Sequence, residues 1–267
     1  MSSTAAILLA HVLAHGAPGG SVYSLAPAAS CGTDPRAPAC ALVRVCDAPG
    51  PLCGAPRWSR ARGAWVVAEN RAQAEARWRG IVESADRVAR RLVDCRLPDG
   101  SVDLDCEPVS WPRGPGRARE LAFALGTVAF WESGLREDIQ IGAPPLGRGP
   151  AGEVCVAQVM PDQIQANASW LSKAERTRAL TKEARSELAE SLLGTDPAAL
   201  DRCFEVAARI LARARRTCAG SGLAWTYSTF AAYGTGSRCS SAGLPSGDFA
   251  AKRQRTLEAL RAEAKKG

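Results

Sequence analysis

A mainly α fold is predicted for this chain, from two observations. Apolar residues recur at three- and four-residue steps over long stretches. The composition also favours helix over sheet: Ala and Arg are abundant, and there are only 3 Tyr and 5 Phe. With 267 residues, 46% hydrophobic and 23% charged, the chain can bury a sizeable core and has the balance of a globular protein, not a disordered one. The N-terminal part is of another kind. "TAAILLAHVLA" (Thr4 to Ala14) is an apolar run too short to span a bilayer. Small residues follow it through "SLAPAASC", as in the tail of an export signal, although the first basic residue is only Arg36. Residues 31–61 hold 4 of the 10 cysteines among many Pro and Gly, with no sustained period. The expected division is a candidate export signal at 1–30, an irregular Cys-rich segment at 31–61, and a helical domain at 62–267.

Within that domain a first helix is expected from about Ala68 to Leu92. Trp78, Ile81, Val82, Ala85, Val88 and Leu92 form its apolar stripe, and Arg77, Arg79, Arg87, Arg90 and Arg91 form a solvated basic flank. The stretch "LPDGSVDLDCEPVSWPRGPG" breaks the period and reads as loop. A second helix runs from about Arg117 to Ser133, with Gly134 as its stop. Leu121, Leu125, Val128 and Glu132 project within about 60° of one another on it, so Glu132 continues the core-facing stripe. A charge there is costly unless paired or used.

After a Gly/Pro-rich loop, Ser172 and Glu175 match a capping box that should open a helix reaching about Leu193. Asp196 as N-cap and Pro197 behind it open the next helix, with the stripe Leu200, Phe204, Ala207, Leu211, Ala214 and Cys218. Cys203 and Cys218 stand about 22 Å apart along that helix and cannot pair with each other. "AWTYSTFAAYGTGSRC" has helical apolar spacing, and the basic tail "AKRQRTLEALRAEAKKG" is expected to be a peripheral, solvated helix.

Ten cysteines with no CxxC pair read as disulfides in an oxidising compartment. A formal charge of +7 favours a polyanionic partner, and nothing resembling a nucleic-acid motif accompanies it. The only two histidines, His11 and His15, lie in the N-terminal run, so a Ser-His-Asp, Cys-His or His-zinc centre is not expected in the body of the protein. Neither a phosphate-binding GxxxxGK[ST] loop nor a GxGxxG after a strand is present. Carboxylate chemistry remains. A carboxyl among apolar neighbours holds its proton more tightly and can serve as a general acid, a role that suits Glu132 beside Phe130 and Trp131.

Three stretches occur in order: "WESGL" (Trp131 to Leu135), "GEVCVAQVMP" (Gly152 to Pro161) and "FAAYGTGSR" (Phe230 to Arg238). Together they resemble the three motifs of the soluble lytic transglycosylase family, whose fold is that of goose-type lysozyme. "LLGTDPAALDRCFEVAARIL" resembles that family's helix between the second and third motifs, and the likeness covers roughly residues 117–240. The resemblance implies a lysozyme-like α+β superfamily fold and cleavage of the β-1,4 bond between N-acetylmuramic acid and N-acetylglucosamine in peptidoglycan. The bacterial cell wall would be the partner, the place extracytoplasmic, and no cofactor or metal is called for.

It also implies roles, residue by residue. Glu132 is the single acid/base, and Ser133 orients it or the leaving sugar. Gln158 and Met160 line the cleft, the Tyr233 hydroxyl bonds the catalytic carboxyl, and Gly236 keeps the turn. The sequence departs from the family pattern at Val156 and Ala157, at Cys155 inside the second motif, and at Gly234, where Asn is usual. The alternatives are a hydrolytic muramidase, with Asp138, Glu153 or Asp162 as base, and an inactive peptidoglycan-binding envelope protein.

Overall fold

The computed structural model describes residues 1–15, 23–24, 42–46, 57–59, 64–97, 99–103, 106–112, 114, 116–135, 137–142, 152–244 and 248–266, with the strands and the first turn after them given as backbone only. Among the described residues the protein is mainly helical. Helix α1 (Ser3–His15) comes first, followed by strands β1 (Tyr23–Ser24), β2 (Leu42–Cys46), β3 (Arg57–Ser59) and β4 (Ala64–Asn70). The remaining helices are α2 (Arg71–Asp94), α3 (Arg117–Ser133), α4 (Glu137–Gln140), α5 (Pro161–Asn167), α6 (Lys173–Thr177), α7 (Lys182–Glu190), α8 (Pro197–Thr217), α9 (Trp225–Thr235) and α10 (Phe249–Ala264).

The strands form one sheet in the order β1-β2-β4-β3; β2 and β4 run parallel with Leu42 opposite Val66, and the outer pairs are antiparallel. Two of them, β2 and β3, fall inside the stretch expected to be irregular. "LVRVC" is rich in branched residues that favour an extended backbone, a signal masked by the surrounding Pro and Gly. β4 also takes the first residues of the expected first helix, which starts at Arg71.

The helical stripes fall where the spacing put them. Trp78, Ile81, Val82, Ala85, Val88 and Leu92 of α2 are buried, as are Leu200, Phe204, Ala207, Leu211, Ala214 and Cys218 of α8. The arginines flanking the α2 stripe are not simply solvated, because three of them bind carboxylates. Arg87 pairs with Asp201 at 2.6 Å and Arg91 with Glu205, both on α8, while Arg90 pairs with Asp86 one turn away. The Ser172–Glu175 capping box forms, but its helix stops at Thr177. Thr181 then accepts from the Ala184 amide and starts α7 separately, so a second cap splits the expected single helix.

Both terminal helices pack on the helical body. α1 is part of the core: Ala5, Leu8, Leu9 and Val12 are buried, and the helix packs on α2, α3 and α10. Gly126 of α3 is the seat for Leu8, since a Cβ there would lie 2.5 Å from a Leu8 methyl. A histidine therefore does sit in the body of the protein. His11 packs edge-on against Phe130, with Nδ1 3.6 Å from a Glu263 oxygen. α10 is not peripheral either, because Ala250, Arg253, Leu257 and Leu260 are buried against α3, α9 and α1.

Three disulfides tie the described residues: Cys95–Cys106, Cys155–Cys203 and Cys218–Cys239. Cys203 and Cys218 each reach away from α8, as their separation on it requires. The expectation for Cys31, Cys40, Cys46 and Cys53 falls on side chains outside the described residues. No described helix is long and apolar enough to cross a membrane.

Candidate functional site

α3 delivers Glu132. Leu121, Leu125 and Val128 are fully buried and hold one face of the helix in the core. Gly134 then ends it in the left-handed region (φ 62°, ψ 25°), its N–H donating to Phe130 O. Glu132 lies on the last turn with its side chain 20% exposed, and its Oε1 accepts from Arg253 Nη2 of α10 at 2.7 Å. Burial pushes the Glu132 carboxyl above its ordinary value of 4.5; the Arg253 charge opposes this and the Glu153 charge adds to it.

The turn of the second motif is linked to Glu132 through Tyr233, which bonds the turn and feels the Glu132 charge. Val154 and Val159 exchange both backbone bonds, at 3.0 and 2.9 Å, around a four-residue loop. Within it Cys155 and Gln158 take left-handed φ values of 58° and 50°, which cost L residues roughly 1–2 kcal/mol each. Three anchors hold this strained turn. Cys155 is bonded to Cys203 of α8, and the Val156 amide donates to Gln140 Oε1 at 3.0 Å. Tyr233 of α9 donates its hydroxyl proton to Ala157 O at 2.7 Å. Gln140 is buried and also donates to Leu192 O and Gly194 O, so one amide side chain joins α4, the turn and the approach to α8.

The structure brings Glu132, Tyr233 and the second-motif turn to one place, with a different wiring from that expected. Tyr233 spends its proton on Ala157 and not on the Glu132 carboxyl, a correction to the expected contact. The two groups are still neighbours: burial first, then the Glu132 charge, push the Tyr233 hydroxyl above its ordinary 10.0, with Arg253 opposing. Gln158 is half-buried, and its amide donates to Cys155 O at 3.2 Å, within its own turn. Met160 is the N-cap of α5 with Pro161 behind it, and Gly236 is the left-handed C-cap of α9 (φ 81°).

Ser133 is buried. Its Oγ donates to Ala129 O at 2.8 Å and accepts from the Leu135 amide, so the hydroxyl closes the helix end instead of facing a sugar. Of the alternative bases, Glu153 is close enough for its charge to act on Glu132, and Asp162 sits in the first turn of α5. The Asp138 side chain is outside the described residues.

Two residues here were missed by the sequence reading. Gln140 gave no signal. Arg253 did: Ala250, Leu257 and Leu260 at helical spacing put it on their face within about 80°, and only the basic tail around it suggested a solvated helix. Gly234, standing where Asn was expected, is explained by the same neighbours. A Cβ there would lie 2.7 Å from the Phe249 ring and 3.2 Å from Arg253 Nη1.

No group of three or more metal-ligating side chains occurs among the described residues. What the arrangement offers chemically is one partly exposed carboxyl, desolvated and held at one oxygen, beside a fixed turn. In comparison with known proteins, no family model, no curated protein and no solved structure matches this chain.

Proposed function

We propose that this protein is a lysozyme-like glycosidase of the cell wall, a peptidoglycan lytic transglycosylase with Glu132 as its single acid/base. The observation that carries this reading is the Glu132 carboxyl, raised by burial yet partly open, at the point where the three sequence motifs converge. In its protonated form Glu132 donates to the glycosidic oxygen as the bond from the muramic anomeric carbon breaks. The resulting carboxylate then takes the proton of the muramic 6-hydroxyl, whose oxygen closes on that carbon and leaves a 1,6-anhydro end. The proton that left Glu132 on the first step is thereby restored on the second.

The three disulfides suit an extracytoplasmic place, and the charge of +7 suits an anionic wall polymer. The test is mass spectrometry of muropeptides released from sacculi. Wild type should release anhydro-muramic ends and Glu132→Gln at least about 100-fold fewer. Reducing ends would instead indicate hydrolysis with Glu153, the carboxylate whose charge acts on Glu132, as base.

A second reading has its own observation. Arg253 favours the ionised form of Glu132, which disfavours an acid role, and fits a non-enzymatic protein that binds glycan strands. That reading expects sacculus pelleting that survives Glu132→Gln, with no soluble muropeptides from wild type.

A further inference from the structure

The least expected group in the site is a buried guanidinium. Arg253 is 5% exposed, and its Nη2 reaches Glu132 Oε1 at 2.7 Å while Nη1 lies 3.5 Å from Phe230 O of α9. Its planar head stacks over the Phe249 ring, 4.6 Å from the centroid, and its Nε has no partner among the described residues. A charge this buried and only partly satisfied is costly, so its position calls for a cause beyond packing.

The position is set independently of Glu132. α3 and α10 run antiparallel and are bridged at two further levels. Glu120 pairs with Arg261 at 2.6 Å, and Trp131 Nε1 donates to Thr256 Oγ1 at 2.9 Å. These bridges fix the register of the two helices and bring residue 253 opposite residue 132. On the remaining side, Gly234 leaves the room that the Phe249 ring and the guanidinium fill. Three helices thus meet around the Arg253–Glu132 pair, while Oε2 of Glu132 has no hydrogen bond among the described residues.

We propose that Arg253 is the positioning residue of this site, clamping Glu132 by Oε1 so that Oε2 is the oxygen presented to the substrate. This rests on the reading of the site as a glycosidase. Among the described residues, the charged and titratable groups that act on Glu132 are Arg253 from α10, Tyr233 from α9 and Glu153 from the segment before the second-motif turn. Arg253 opposes the upward push of burial and of Glu153, and so sets how far towards alkaline pH the acid form persists. A Lys in its place keeps the charge but lacks the planar fork, while a Met keeps length and removes both.

The test uses the full chain in two independent readouts. The first follows the Glu132 carboxyl directly by carbon NMR titration, with Glu132→Gln identifying its signal. Arg253→Met should raise the midpoint by about one unit or more, and Arg253→Lys should move it by less than about half a unit. The second is muropeptide release. Both variants should lower kcat about tenfold or more at little change in KM, and only Arg253→Met should carry the alkaline limb of the profile upward. A midpoint unmoved in Arg253→Met, or a loss confined to KM, overturns the proposal. Should Arg253→Met fail to fold, Arg253→Lys with an unchanged kcat does the same. If wild type releases no muropeptides the glycosidase reading fails, and the NMR titration still decides whether Arg253 controls Glu132.

Discussion

Glu132 and Glu205 are both carboxylates held by arginines inside the helical body, and they are held differently. Glu205, 2% exposed, accepts from Arg91 and, at its other oxygen, from Arg209 at 3.5 Å and the Ser169 amide at 3.1 Å. Both of its oxygens are used, and it joins α2, α8 and the segment after α5 into one frame. Glu132 has one cation on one oxygen and a side chain 20% exposed. A fully satisfied buried charge is part of the architecture, while one left half-satisfied at an opening is available for chemistry. The contrast separates a structural ion network from a candidate site more clearly than burial does alone.

The largest effect expected from this contrast is on stability. Glu205→Gln leaves Arg91 without its anion and Arg209 with Glu107 alone, at 3.7 Å, and should cost about 3 kcal/mol in urea unfolding. Glu132→Gln, whose amide oxygen can still accept from Arg253, should cost less than about 1 kcal/mol. Equal losses would break the comparison.

A smaller effect is its pH dependence. The folded chain binds the Glu132 proton more tightly than the unfolded chain does. The stabilisation from this group is therefore fully present below the unfolded value and is lost as pH rises through the raised folded one. The stability of wild type relative to Glu132→Gln should fall as pH increases above about 4, as measured by unfolding at a series of pH values. The smallest effect belongs to a pair that is neither buried nor clamped. Arg117 and Asp94 meet at 2.6 Å with both side chains 41% exposed, so Asp94→Asn should change unfolding by no more than about 0.5 kcal/mol and be further blunted by salt.

How much of this was legible depended on range. The stripes of α2, α3 and α8, the Gly134 stop and the Asp196 cap are local patterns, and the chain carries them in adjacent residues. Glu132 was readable for the same reason, as a charge continuing an apolar face. Its partner was not, because Arg253 lies 121 residues away and a basic tail looks the same whether solvated or docked. The split between α6 and α7 was hidden because Thr181 competes as a cap with an otherwise continuous pattern. The docking of α1 was not legible, because the notch at Gly126 that receives Leu8 lies on another helix. The partner of Tyr233 was not legible, since a hydroxyl can choose among several acceptors and sequence does not rank them.

The Cys155–Cys203 bond has a consequence for how the second-motif turn is held. Gln158 is held in its left-handed conformation by a loop that α8 grips covalently, so oxidation adds one anchor to a turn that burial and the Gln140 and Tyr233 hydrogen bonds also place. A chain folded under reducing conditions would own the same helices and the same acidic side chain, beside a turn that has lost one of its three anchors.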